Sequence, residues 1–124
     1  MELTFEPLQR EDLAACYALC MQSFFESVPL EEVEQTFALC SRDPSYRLVV
    51  GKLDGRVVTY ATLHFFHTVF DGMRPMATIW YVCVDPAYRS RGIGKALFAE
   101  LCRICEAEQC LEIVFTCLQE NASA

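Results

Sequence analysis

Arginine, lysine and glycine are concentrated in one short stretch of the sequence. Arg89, Arg91 and Lys95 are three of the ten Lys and Arg residues in a chain whose formal net charge is −7. Gly92 and Gly94 lie between them, and a glycine lets the backbone approach a ligand closely because it has no Cβ. A helix that begins at this point would also present unpaired amide groups to an anion. The stretch therefore predicts a site for a phosphate-bearing ligand.

Two common phosphate-binding motifs do not match this stretch. A P-loop requires glycine five residues before its Gly-Lys pair and Ser or Thr after it, but Arg89 and Ala96 stand at those positions. A dinucleotide fingerprint requires a third glycine three residues after Gly94, where the sequence has Leu97. The spacing therefore excludes both classes of nucleotide site.

A strand and a helix must position the cationic stretch. Residues 78–84 are rich in β-branched and aromatic side chains and are predicted to form a strand. Asp85-Pro86 ends this strand, because proline cannot donate to a ladder. Helical spacing then places Ile93, Leu97, Leu101, Ile104 and Cys105 on one face of a helix predicted over residues 92–108. The cations therefore lie at the N-terminus of that helix.

The pattern Arg89-x-x-Gly92-x-Gly94 after Val-Asp-Pro resembles motif A of the GNAT superfamily of acyl-CoA-dependent N-acetyltransferases. The resemblance implies acetyl-CoA as cosubstrate, with its pyrophosphate held by Arg89, Ser90, Arg91, Gly92, Ile93, Gly94 and Lys95. It also implies a bulge in the preceding strand, so that backbone amides of Val82 and Val84, on either side of Cys83, face the pantetheine and the thioester. The alternative is a plain strand-to-helix turn with incidental arginines and an ordinary buried strand.

The resemblance implies an enzyme that transfers acetyl to a primary amine, on a small molecule or a peptide, by direct attack in a ternary complex. A non-catalytic acyl-CoA-binding or regulatory module is the alternative, because many family members have a carboxylate where this sequence has Trp80 and Tyr81. The candidate catalytic residues are Tyr81, which can relay a proton through water, and His64. A strand period of two sends His64 and His67 to opposite faces. No third ligand accompanies them, so no metal is expected.

The rest of the sequence predicts one mixed α/β domain over residues 1–124. The predicted elements are a strand ending at Pro7, helices over residues 9–25 and 29–40, strands over 47–52 and 57–70, and a last strand over 111–116. Asp54-Gly55 and Asp71-Gly72 are interpreted as hairpin turns. The expected fold is therefore an antiparallel meander followed by a parallel strand–helix–strand unit with a right-handed crossover. In the GNAT family, paired helices like the first two wall the acceptor pocket.

The amino-acid composition indicates which classes of partner and which cellular compartment to expect. An acidic chain with one cationic turn lacks the basic face typical of nucleic-acid binding. No apolar stretch approaches the ~18 residues that span a bilayer, and the first residues do not resemble a signal peptide. A cytoplasmic protein without a membrane or nucleic-acid partner is expected. The eight cysteines fall largely on apolar faces and are predicted to be reduced core residues.

The C-terminal end departs from the family pattern. After Cys117 the family usually continues through an asparagine, a helix that carries a tyrosine, and two more strands. Asn121 matches the asparagine and is a predicted contact to coenzyme A, but the sequence stops at Ala124. A C-terminally incomplete fold is therefore expected, without the tyrosine that protonates the thiolate and with an open edge at 111–116. Such an edge favours association, for instance as a homodimer. A shortened sequence, a natural truncation and a partner chain that supplies the rest stay open.

Overall fold

The computed structural model describes residues 2–24 and 28–115. In chain order, these residues form β1 (Leu3–Pro7), α1 (Leu13–Phe24), α2 (Leu30–Ser41), β2 (Tyr46–Leu53), β3 (Arg56–Phe66), β4 (Met76–Val84), α3 (Ile93–Ala107) and β5 (Glu112–Phe115). The strands form one sheet in the order β1-β2-β3-β4-β5, antiparallel except for the parallel pair β4 and β5. The predicted fold class, a meander followed by a parallel strand–helix–strand unit, is confirmed.

Helices cover both faces of the sheet. On one face, α3 packs the fully buried Leu97 and Leu101 against the core. On the other face, α1 contributes Cys16 and Cys20 to a second cluster, and α2 packs Phe37 against it. Successive side chains of a strand point to opposite faces, so each central strand feeds both clusters. Within the described residues, no helix is both long and apolar enough to cross a bilayer.

Two of the predicted helix starts need small corrections. α1 begins at Leu13, after a short 3-10 turn at Arg10–Asp12, and not at residue 9. Pro29 is the N-cap of α2 (φ −58°, ψ 141°) and precedes the first helical residue. The Asp54-Gly55 turn is confirmed, because both residues have positive φ and Leu53 pairs directly with Arg56.

The predicted link between β3 and β4 is wrong. β3 ends at Phe66, and residues 67–75 form a loop in place of a tight turn at Asp71-Gly72. The Asp71 carboxylate accepts hydrogen bonds from the amides of Thr68 and Met73, each at 3.0 Å, and lies 2.8 Å from His67 Nδ1. Burial raises the pKa of Asp71, but these bonds outweigh burial and lower it below its usual value. The Asp71 side chain therefore stabilises the loop by accepting hydrogen bonds from the loop's own amides. Aspartate adopts this role in loops as well as in hairpin turns.

Candidate active site

β4 contains the implied bulge, at Tyr81. Tyr60 pairs with Cys83 and Thr62 pairs with Trp80, so β4 has one residue more than β3 in this interval. Tyr81 has φ 55°, a left-handed conformation that is uncommon for a bulky residue. The extra residue kinks β4 and increases its local twist.

The bulge is followed by backbone amides that point away from β3. The Asp85 amide donates to the Val58 carbonyl of β3 at 2.8 Å. Because successive amides point to opposite edges of a strand, the amides of Val84 and Val82 point to the β5 side. Among the described residues, β5 pairs with β4 only as far as Ile79. Two backbone donors therefore face the position that the resemblance assigns to the thioester.

The side chains of this strand end belong to the core. Val82 packs against the α3 side, Cys83 is buried on the α1 side, and Val84 packs beside Ile93. The Thr59 hydroxyl donates to the Cys83 carbonyl oxygen at 2.6 Å and holds β4 next to the bulge. A ligand at this edge would therefore contact backbone atoms of residues 82–84. The Ile93 side chain is also buried in the core and would not contact the ligand.

The turn after β4 leads directly into the N-terminus of α3. Asp85 caps the short 3-10 helix Pro86–Tyr88 by accepting a hydrogen bond from an amide at 2.9 Å. Ser90 (φ 65°) and Gly92 (φ 77°) both adopt left-handed backbone, which turns the chain into the helix. The first bond inside α3 reaches back to the Gly92 carbonyl at 3.0 Å. The amides of residues 93–95 precede that bond and have no acceptor inside the helix, as a predicted anion site requires.

Arg89 and Arg91 lie in the turn before α3 and Lys95 lies in its first turn, and all three side chains are exposed. Within residues 2–24 and 28–115, no carboxylate lies at salt-bridge distance from any of them. The other cations have partners: Arg10, Arg47, Lys52, Arg56 and Arg103 pair with carboxylates, and Arg42 and Arg74 donate to backbone carbonyls. Arg91 contacts the Tyr88 ring, 5.2 Å from its centroid. The turn is thus where positive charge is left unmatched in an acidic chain.

A cavity of about 500 Å³ opens beside the bulge, on the face of the sheet that α1 and α2 cover. Tyr81 and His64, the two candidate catalytic residues, both line it, together with Trp80. The His64 ring lies 4.5 Å from the Tyr46 ring, measured between centroids. His67 lies beyond the end of β3 against Asp71, outside the cavity lining. The structure therefore brings the two candidates to one pocket, while their roles stay predictions.

The resemblance implied that the first two helices wall the acceptor pocket, but sequence reasoning did not assign Cys16 or Cys20 of α1 to that wall. Cys16 and Cys20 line the cavity, and Cys20 Sγ lies 3.1 Å from Cys83 Sγ. A hydrogen bond to Cys20, together with burial, raises the pKa of the Cys16 thiol. Burial raises the pKa of Tyr60, whose hydroxyl lies 2.6 Å from Thr62 Oγ1. Cys16 and Tyr60 are therefore neutral at physiological pH. The i, i+4 spacing of the two cysteines was the available signal for a shared face.

Two further sequence predictions concern coenzyme A and a metal ion. Asn121 lies outside the described residues, so its contact with coenzyme A stays a prediction. Within the described part of the chain, no group of three or more His, Cys, Asp and Glu is arranged to hold a metal ion.

Comparison with known proteins identifies the class. A sequence model of the acetyltransferase (GNAT) family matches residues 13–124. The chain therefore belongs to this family, and the resemblance carried by motif A is confirmed. A solved Trypanosoma brucei acetyltransferase has a similar structure, with a TM-score of 0.82 and 25% identity over 97% of this chain and 86% of that one.

Two further proteins are similar to this chain, one in its structure and the other in part of its sequence. An aminoglycoside N-acetyltransferase, AAC(6')-Iy, solved in complex with CoA, has a TM-score of 0.83 at 18% identity, over 98% of this chain and 81% of that one, and shows the fold alone. A glucosamine 6-phosphate N-acetyltransferase of Trypanosoma brucei brucei is 38% identical over 60 residues, which span 48% of this chain and 41% of that relative. The expectation of an acetyltransferase is thus confirmed at the level of the family.

Proposed function

We propose that the protein transfers the acetyl group of acetyl-CoA to a primary amine by direct attack in a ternary complex. The observation that carries the proposal is the cationic turn, where Arg89, Arg91 and Lys95 lack carboxylate partners in the described structure and lie at the N-terminus of α3. A pyrophosphate supplies the missing negative charge. Support also comes from the structural neighbour solved with CoA.

The backbone of β4 supplies the chemistry of the proposed reaction. With the pyrophosphate in the turn, the pantetheine runs along the β5 side of β4 to the amides of Val82 and Val84. When the amine attacks the acetyl carbon, negative charge develops on the carbonyl oxygen, and fixed amide donors stabilise it. The new C–N bond forms, the attacking nitrogen gives up a proton to water, the C–S bond breaks, and coenzyme A leaves as a thiolate that takes a proton from water.

The attacking amine must first lose a proton. Tyr81 and His64 line the cavity in which the amine would lie, and either can pass that proton to water. Among the described residues, no carboxylate lines this cavity, which departs from the carboxylate base of many family members. The same observation favours a second candidate function, an acyl-CoA-binding module without catalysis.

Thiol release separates the two candidate functions. The full chain is incubated with acetyl-CoA and a mixed panel of primary amines, and free coenzyme A is followed with a thiol reagent. We expect release that depends on the amines, since the enzyme holds the thioester beside the acceptor cavity. Binding of acetyl-CoA without amine-dependent release would favour the binding module.

The same reaction also tests direct attack. Samples quenched during turnover should show unmodified protein by intact mass spectrometry, because the Cys83 thiol is buried in the core and no acetyl-enzyme forms. An acetyl group on Cys83 that disappears when amine is added would contradict direct transfer.

A further inference from the structure

The acceptor cavity differs in charge from another cavity in the described part of the molecule. A second cavity, of about 580 Å³, lies between β1, α2 and α3 and is lined by Glu6, Arg10, Arg47, Glu100 and Arg103 among others. In the 500 Å³ cavity beside the bulge, no Asp, Glu, Lys or Arg is found among the described lining residues. Apart from hydroxyl and thiol groups, its single titratable side chain there is His64.

The lining of the acceptor cavity is aromatic and aliphatic. Its aromatic side chains include Tyr17, Phe37 and Tyr46 around the pocket and Trp80 and Tyr81 at the bulge. Trp80 and Tyr81 are 47% and 39% exposed, so both side chains are partly open to solvent within the described structure. Aromatic surfaces bind flat apolar groups, and their faces attract an ammonium ion.

The charge of a ligand decides whether such a cavity can hold it. A phosphate or a second ammonium group taken from water into an apolar pocket loses its hydration, and this loss disfavours binding unless a partner of opposite charge is present. A sugar phosphate would need Lys or Arg in the lining, and a polycationic aminoglycoside would need carboxylates. The described lining offers neither.

We infer that the acceptor is a compact primary amine with an aromatic or aliphatic body and no other charged group, such as an arylalkylamine. The inference rests on the proposed function, because it assigns the cavity to the acceptor of acetyl transfer. The apolar body of this acceptor packs among the cavity walls. The amine of the acceptor lies at the bulge, between Tyr81 and the amides of β4. The glucosamine 6-phosphate of the related enzyme is therefore not the acceptor that this cavity selects.

Binding and turnover are measured separately, so that this inference and the proposed function can fail separately. Trp80 is the single tryptophan of the chain and lines the cavity, so its fluorescence reports occupancy. The full chain is titrated with 2-phenylethylamine, glucosamine 6-phosphate and kanamycin, and acetylation of each amine is followed in parallel. We expect 2-phenylethylamine to bind at least about tenfold more tightly than the other two, a difference of ~1.4 kcal/mol.

Each result has a definite meaning. Tight binding and acetylation of 2-phenylethylamine would support both statements, whereas binding without acetylation would support the cavity's selectivity and count against the proposed function. Preferred acetylation of glucosamine 6-phosphate or kanamycin would overturn the inference and leave the proposed function standing. No fluorescence response to any of the three amines would also overturn it.

A charged substitution in the cavity wall provides the matched test. Val33 lines the cavity from α2, whereas Gln35 on the same helix does not. Val33→Arg should weaken 2-phenylethylamine binding by about tenfold, and Gln35→Arg, with the same change of charge, by less than about twofold. Unchanged acetyl-CoA binding in both variants shows that the fold is retained, and Thr36→Arg, at an exposed lining position, replaces Val33→Arg if it is not. Equal effects of the wall and control variants would overturn the inference.

Discussion

Gly92 and Gly55 have nearly the same positive φ in different surroundings. Gly92 (φ 77°) is the N-cap of α3 within the cationic turn, and Gly55 (φ 80°) lies in the turn between β2 and β3. A side-chain carbon at either position would meet no atom within 4 Å. The cost of a side chain at both residues is therefore backbone strain, but only Gly92 borders the proposed ligand.

This pair separates strain from binding. Gly92→Val and Gly55→Val should each lower the free energy of unfolding by about 1–2 kcal/mol, the cost of a left-handed conformation for an L-residue, as urea denaturation would measure. Only Gly92→Val should also weaken acetyl-CoA binding in isothermal titration, because its side chain blocks the approach to the helix amides. Equal acetyl-CoA affinity in the two variants would remove Gly92 from the site.

The sequence predicted the cationic turn. It did not predict that the other Lys and Arg residues have partners, which is what distinguishes this turn. The spacing of Arg89, Gly92 and Gly94 is local, so motif and structure agree. The ion pairs of the other cations could not be predicted from the sequence, because a contact such as that of Arg47 with Glu108 joins residues far apart in the chain. The lining role of Cys16 was hidden for the same reason, since a buried wall and a cavity wall have the same apolar pattern.

At the scale of the elements, β2 and β3 hold the end of β4 in place through Thr59. This residue is fully buried, and its hydroxyl binds the Cys83 carbonyl beside the bulge. On its other side, a side-chain carbon at Gly51 would lie 2.5 Å from Thr59 Cγ2 and 2.9 Å from Phe5 Cε1. Both distances are shorter than van der Waals contact, so Gly51 is required for the close approach.

Gly51→Ala should therefore destabilise the protein by about 1–3 kcal/mol, the usual cost of overpacking a core, measured by urea denaturation. Adding Thr59→Ser removes the methyl group in the way and keeps the hydroxyl. The double variant should then lose less than the sum of the two single variants. An unfolding midpoint of Gly51→Ala equal to that of the wild type would show that the strands have room to spare.

The sequence pattern predicted each of the five strands and three α-helices within the described residues, but not the two short 3-10 helices Arg10–Asp12 and Pro86–Tyr88. Periodicity does not determine where an element ends. β3 stops at Phe66 because Asp71 binds the amides of the loop, a choice between two local hydrogen-bond patterns that the letters Asp-Gly do not resolve.

At the scale of the whole molecule, the sheet is less well covered at β5 than at its centre. Within the described residues, β5 is an outer strand, and Ile113 and Phe115 are 40% and 43% exposed. The Phe115 ring packs edge-on against Phe98 of α3, 5.4 Å between centroids, which covers part of its surface. An outer strand with apolar residues favours pairing with another chain.

We expect concentration-dependent association of the 124-residue chain in sedimentation velocity. Ile113→Lys should reduce that association, because a lysine on an edge strand disfavours edge-to-edge pairing, whereas Phe70→Lys, on the exposed β3–β4 loop, should leave it unchanged. A strictly monomeric wild-type chain at high concentration would contradict the expectation.

Arg89, Arg91 and Lys95, which have no carboxylate partner among the described residues, are proposed to bind the phosphates of acetyl-CoA, and isothermal titration of acetyl-CoA measures this binding. The double variant Arg91→Ala/Lys95→Ala should raise the dissociation constant by about tenfold or more, ~1.4 kcal/mol, and should show a weaker dependence on salt than the wild type. Arg103→Ala is the matched control, because Arg103 lies on the same helix and pairs with Glu100. We expect an unchanged dissociation constant for the control, whereas an unchanged dissociation constant for the double variant would contradict phosphate binding at this turn.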